Sequence, residues 1–280
     1  MRYAAAVAAR ANASLTVSYA NDPLLVAAAS AALRDRTLAR RSRGELKRFV
    51  ETTLSGPRAR QRLKYRVTIG GADDEILKAA RASRADLIVM GTHGLTGVNR
   101  LFIGSTTLSV LQRTHVPVLA IPQASGDVEQ DVSSWPADRI IAAIELGRDA
   151  RDEVDAASRI AEWFGGSLLL LSIVDEIDAP SWLQGALTSH ERLRVAQAGR
   201  ELEALEAIAK SRVNAESRVV CGRPADEIAA ITALERSSLV ITALRDRRGW
   251  FGARRGSVSY HVLSHAVAPV LACPPGWRAR

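Results

Sequence analysis

Residues 89–107 read VMGTHGLTGVNRLFIGSTT, and Gly91, Gly94 and Gly104 stand there in the spacing G-x2-G-x9-G, followed at once by Ser105, Thr106 and Thr107. Glycine tolerates positive φ and lets a ligand approach backbone without a Cβ in the way. Several N–H groups can then converge on one concavity, an anion-binding nest. A helix opening at Gly104 adds unpaired N–H groups and the positive end of its dipole. The hydroxyls of Ser105 and Thr106 suit phosphate oxygens or Mg²⁺. The chemistry that fits is phosphate binding, yet the pattern is neither G-x-x-x-x-G-K-[ST] nor G-x-G-x-x-G.

Other constellations carry less. His261 and His265 stand at i, i+4, a spacing that can hold zinc, but the sequence offers no third ligand. His93 lies inside the glycine stretch with no nucleophile or carboxylate placed beside it by a motif. There is no G-x-S-x-G elbow and no HExxH, so no catalytic residue is assigned. Cys221 and Cys273 sit in short apolar runs, have no zinc or disulfide spacing, and are expected to be buried, inert thiols. Trp250 and Phe251, set among Arg245, Arg247, Arg248, Arg254 and Arg255, read either as an interaction surface or as aromatics packed on a sheet edge.

The elements that must position the glycine stretch emerge from an internal duplication. Shifted by 152 residues, the chain matches itself without a gap from about Arg66 to Pro122. GGADDEILKAARASRADLIVMG falls on GRPADEIAAITALERSSLVITA, and HVPVLAIP falls on VAPVLACP. Upstream, ANASLTV falls on FGGSLLL with one residue of slippage. The two copies, residues 1–124 and 137–280, meet around QASGDVEQDVSSWP, which has linker composition. Strands are expected near 139–146, 167–174, 216–221, 238–242 and 269–273, with helical segments between them. In the first copy Ile76, Ala79, Ala80 and Ser83 trace a helical stripe that Asp73 or Asp74 could cap, while Pro224 suits the first turn of the counterpart. Alternating strands and helices imply a parallel α/β sheet covered on both faces, with ligands at the carboxyl ends of its strands.

Composition bounds the partners. A chain of 280 residues, 47% hydrophobic and 24% charged, fits two ordinary globular domains. No apolar run approaches the ~20 residues needed to cross a bilayer. The opening MRYAAAVAARANA resembles a signal peptide, but Arg10 interrupts its apolar core and the repeat explains it better, so the expectation is cytoplasmic. The net charge of +8 suits an anionic partner, but the arginines are spread through both halves, which argues against nucleic acid.

The glycine pattern and the tandem layout resemble the universal stress protein family, whose signature is G-x2-G-x9-G-[ST] after the fourth strand. The resemblance implies five-stranded parallel units of order 3-2-1-4-5 that pair through their last strands. Here those are PVLAI and PVLAC, giving an intramolecular pseudo-dimer with a further homodimer left open. One branch of the family binds ATP. By resemblance Gly91, Gly94, Gly104, Ser105 and Thr106 hold ribose and phosphates of ATP with Mg²⁺, in a stress-response or regulatory module acting on a protein partner and at most a slow ATPase. The alternative is a scaffold that binds a protein or another anion through its basic surface. The second copy keeps Gly256 and Ser257 but has Ala243 and Asp246 where the first has Gly91 and Gly94. Its Glu145 falls where the family's first strand ends in a carboxylate.

The first copy has nothing to match that strand: Met1 aligns near Val154, inside the first helix. A missing central strand leaves two rows of backbone groups to satisfy, each costing about 1–3 kcal/mol if buried unpaired. The expectation is a true start upstream. The other two routes are closure of strands 2 and 4 on each other and a strand from another chain.

Overall fold

The computed structural model describes residues 1–33, 37–54, 62–92, 103–122, 135, 139–177, 180–235, 237–244 and 258–277. The first copy runs α1 (Arg2–Arg10), β1 (Leu15–Asn21), α2 (Pro23–Leu33), α3 (Leu38–Thr53), β2 (Leu63–Ile69), α4 (Ala72–Ser83), β3 (Ile88–Gly91), α5 (Ser105–Arg113) and β4 (Val118–Ile121). The second runs β5 (Arg139–Ala143), α6 (Ala150–Phe164), β6 (Ser167–Asp175), α7 (Ser181–Lys210), β7 (Ala215–Gly222), α8 (Pro224–Leu234), β8 (Leu239–Ala243), α9 (Val258–His265) and β9 (Val270–Cys273). Thus α1 takes the place of α6, which β5 precedes in the second copy.

The second copy's strands lie in the order β7-β6-β5-β8-β9, all parallel, which is 3-2-1-4-5 in units of the repeat. β5 is central: Ile141 stands opposite Leu169 on one side and Val240 on the other. Strands buried on both faces must be apolar throughout. Accordingly Leu168, Leu169, Leu170 and Leu171 of β6 are all buried, as are Ile140, Ile141 and Ala142 of β5. Right-handed crossovers run outward from β5 to β7 and then return to β8 and β9, which sets α6 and α7 on one face and α8 and α9 on the other. Each of those helix pairs packs together. Gly165, at φ 70°, ends α6 in the left-handed conformation, and Asn12, at φ 50°, takes the same place after α1.

Beyond β9 the sheet continues into the first copy. β4 pairs with β9 antiparallel, with Val118 opposite Ala272, Leu119 opposite Leu271 and Ala120 opposite Val270, and β3 follows β4. The two PVLA segments therefore do pair. The chain divides into two compact units that do not follow the copy boundary: one is Met1–Val89, Ser105–Thr114 and Gln130–Trp135, the other Met90–Gly104, His115–Glu129 and Pro136–Arg280.

Within the first unit, β1 and β2 form a separate two-stranded parallel sheet. Its apolar face carries Leu15, Val17, Leu63 and Tyr65, which pack with Val50 and Leu54 from α3 and its end and with Ala5 of α1. Among the described residues strands 2 and 4 of the first copy, β1 and β3, do not pair, so the sheet has not closed over the missing position.

Three local expectations change. No side chain caps α4; its N-cap is Gly71, and Asp73 and Asp74 lie in its first turn, committed to α5. Ser83 is exposed rather than on the buried stripe, and its hydroxyl donates to the Ala79 carbonyl at 2.8 Å. Cys221 is exposed, because β7 is the outer strand of its sheet, whereas Cys273 on β9 is buried.

Two outcomes follow. Leu271→Ala removes a buried contact opposite Leu119 and is expected to lower the unfolding free energy in urea by about 2–5 kcal/mol. A thiol reagent should titrate one cysteine of the native chain, Cys221. Its rate should climb with pH into the alkaline range, because partial burial and then Glu191 raise that thiol's pKa. Cys273, pushed up to about 12 by burial, should react only after unfolding; two fast-reacting thiols in the native chain would contradict this packing.

Candidate functional site

The described part of the glycine stretch is built as a neck. Thr92, buried at the end of β3, donates its N–H to the Ile121 carbonyl at 3.0 Å. Its own carbonyl accepts the Gly104 N–H at 2.7 Å. These bonds hold together the two ends of the segment between them, and α5 starts at the next residue, Ser105. Ile103 is buried beside the neck, Gly91 and Ser105 are exposed, and Gly104 and Thr106 are half-buried. The first turn of α5 contains no acidic residue of its own to offset the positive end of the helix. Gly94 and His93 lie outside the described residues.

The helix below that turn is fixed electrostatically. Ser109 on α5 donates to the Asp73 carboxylate on α4 at 2.5 Å, and Arg113 reaches Asp73 at 3.1 Å and Asp74 at 2.5 Å. The Ser109 hydroxyl, aided by backbone N–H groups and Arg113, holds the Asp73 carboxyl below its ordinary range. This clamp escaped the sequence reading, which took Asp73 and Asp74 as caps.

The second copy repeats part of this arrangement at the same strand end. Leu244 donates to the Cys273 carbonyl at 2.6 Å, matching Thr92 and Ile121. The Ala243 carbonyl accepts from the Ser259 hydroxyl at 2.5 Å. Gly256, Ser257, Asp246 and the arginine-rich loop with Trp250 and Phe251 lie outside the described residues, as does the His261 side chain.

Glu145 is exposed two residues past the end of β5 and lines a cavity of about 310 Å³ at the carboxyl ends of β5 and β6. Ile144, Leu171, Ile173 and Val174 give it apolar wall, and Arg194, Gln197 and Glu201 of α7 close one side. Three carboxylates, Glu145, Asp175 and Glu201, face a single guanidinium, Arg194, whose Nη1 donates to the Asp175 main-chain carbonyl at 3.0 Å. That balance opposes a polyphosphate and tolerates a flat, hydrogen-bonding, uncharged group. Sequence reasoning named only Glu145 here. The i, i+3, i+7 spacing of Arg194, Gln197 and Glu201 was the available signal. Among the described residues no group of three or more His, Cys, Asp or Glu side chains is placed to hold a metal.

Comparison with known proteins bears on this arrangement of two copies. The pattern of the universal stress protein family matches residues 1–122 and again 136–274. The chain belongs to that family. It is 38% identical over 58 residues to Universal stress protein Slr1230 of Synechocystis, a stretch covering 21% of this chain and 20% of that protein. Universal stress protein MJ0531 of Methanocaldococcus jannaschii is 46% identical over 48 residues, 17% of this chain and 28% of the relative. The matched stretches thus span less than a third of either relative. At the level of fold, a universal stress protein from Archaeoglobus fulgidus superimposes with a TM-score of 0.60 at 18% identity, covering 98% of this chain and 93% of that one. The functionally unknown PA1789 of Pseudomonas aeruginosa gives 0.60 at 15% identity over 96% and 85%. This universal stress protein therefore shares its fold along nearly the whole chain with relatives that are distant in sequence.

The α4–α5 clamp gives a pH test. Asp73 has a depressed folded pKa, so its contribution is full above the unfolded value of about 3.9 and is lost as pH falls through the folded value. Ser109→Ala should cost about 1 kcal/mol at pH 7 and progressively less as the solution is acidified below pH 4. A cost independent of pH in urea melts would refute the role given to Asp73.

Proposed function

We propose that this universal stress protein is a nucleotide-responsive regulatory module, with the phosphates of ATP lying against the Gly91–Thr106 stretch of the first copy. The observation that carries the reading is the bond from the Gly104 N–H to the Thr92 carbonyl at 2.7 Å, which pins the loop's ends where α5 begins. A pinned loop gives up less entropy on binding than a free one. The exposed Ser105 and half-buried Thr106 then offer hydroxyls, and the start of α5 offers N–H groups and a favourable dipole. Mg²⁺ would arrive with the phosphates and fits an all-oxygen donor set of hydroxyl, water and phosphate. No side chain is assigned as a general base, so ATP acts as a signal that alters contacts with a protein partner.

In this reading the domains 1–124 and 137–280 divide the work. The first binds phosphate. The second, with Glu145, Asp175 and Glu201 around its cavity, does not take a triphosphate and serves as structural partner through the β4–β9 pairing. Gly256 and Ser257 remain its weaker phosphate candidates. A scaffold without nucleotide is the competing reading. The feature that favours it is α2, an apolar helix whose Leu24 and Leu25 are 79% and 54% exposed, a surface suited to a protein partner.

Calorimetric titration of the 1–280 chain with ATP and Mg²⁺ separates the two. One site is expected, and Gly104→Asp or Gly91→Asp should weaken it roughly 100-fold or more, by setting a carboxylate against phosphate and a Cβ in the path of approach. Equal affinity in wild type and variants that melt normally would remove the loop from the site. Absence of binding to the wild type would leave the scaffold.

A further inference from the structure

Ser172 carries a buried hydroxyl that the fold of the second copy does not use. It follows the four buried leucines of β6 and is itself 4% exposed. The other buried hydroxyls described in that copy all bond. Ser158, Thr232 and Ser264 donate to carbonyls one helical turn back, Ser237 donates to the Leu239 carbonyl, and Thr242 to the Ser259 hydroxyl. Ser172 makes no side-chain hydrogen bond to any described residue. Buried polar groups are as a rule partnered, so an exception calls for a reason. The reason here is position: Ser172 lines the cavity at the carboxyl ends of β5 and β6.

The rest of the lining fixes the sign of the guest. Asp175 ends β6 and Glu201 stands on α7, and neither carboxylate has a hydrogen bond or ion pair to a described residue. Glu145 adds a third carboxylate. Arg194 is the single cation of the lining, and its guanidinium is already tied to the Asp175 main-chain carbonyl. Three carboxylates against one guanidinium leave two negative charges beside an apolar wall that includes Leu171 and Ile173. Acceptors in excess select a guest that brings donors, and an ammonium brings three. The volume of about 310 Å³ lies at the lower end of the range for small-molecule sites, roughly 300–1,000 Å³.

We propose that this cavity is a site for a small organic cation, a primary ammonium carried on a compact apolar body. The ammonium donates to the Ser172 hydroxyl and to the carboxylate of Asp175 or Glu201, while the apolar body lies against Leu171 and Ile173. A quaternary ammonium has no N–H for Ser172, and an anion meets the carboxylates, so neither fits. The site lies wholly within the second copy and is independent of the nucleotide reading.

The probe is phenethylamine, titrated by calorimetry into the 1–280 chain beside its uncharged and anionic analogues, phenethyl alcohol and hydrocinnamate. Saturable binding of the amine is expected, roughly tenfold or more tighter than the alcohol, with no binding of hydrocinnamate. Added salt should weaken the amine and not the alcohol. In the isotope-labelled chain, the amide resonances of Ser172 and Asp175 should shift while those of Gly104 and Ser105 stay in place. Ser172→Ala and Glu201→Gln, the second on an exposed part of α7, should each weaken the amine roughly threefold or more and leave the alcohol unchanged. Equal affinity for amine and alcohol overturns the proposal. So does amine binding that survives both substitutions, a shift pattern that omits Ser172 and Asp175, or the absence of saturable binding.

Discussion

A parallel sheet has to satisfy both edges of its central strand with backbone partners, and the architecture of this chain depends on where that condition is met. In the second copy β5 meets it. Pairing with β6 on one side and β8 on the other lets β6 consist of four consecutive buried leucines, and the ends of β5 and β6 together frame the cavity that Glu145 lines. In the first copy no described strand meets it. Its β1 and β2 separate as a two-stranded sheet, and β3 and β4 join the other copy's sheet through β9.

The same condition accounts for a difference between the copies. A strand end, a helix start and glycine are local in sequence, and the first copy keeps them, with Thr92 and Gly104 closing the neck. A cavity at the ends of two neighbouring central strands is described in the second copy, where β5 stands beside β6.

Much of this was legible in the sequence because duplication turns one chain into its own comparison. The shift of 152 residues placed β7, β8 and β9 within a residue or two, and PVLAI and PVLAC identified the strands that pair. What escaped was set by tertiary neighbours. Asp73 and Asp74 look like caps in a helix-start pattern, and only the proximity of α5 redirects them to Ser109 and Arg113. Cys221 stands in an apolar run that reads as interior, yet its exposure depends on β7 being outermost, a property of strand order rather than of local residues. Asp175 and the face of α7 that closes the cavity are likewise brought to Glu145 by the crossover, over a separation that no motif spans.

The β4–β9 pairing has a consequence for how the chain is made. Val118, Leu119 and Ala120 leave the ribosome about 150 residues before Ala272, Leu271 and Val270, which they must pair. At roughly 5–20 residues per second, that interval is on the order of ten seconds. During it the first copy carries an apolar strand with one edge open, next to a neighbour on the same polysome in the same condition. The nascent chain is therefore exposed to exchange of β4 between molecules before its own β9 exists.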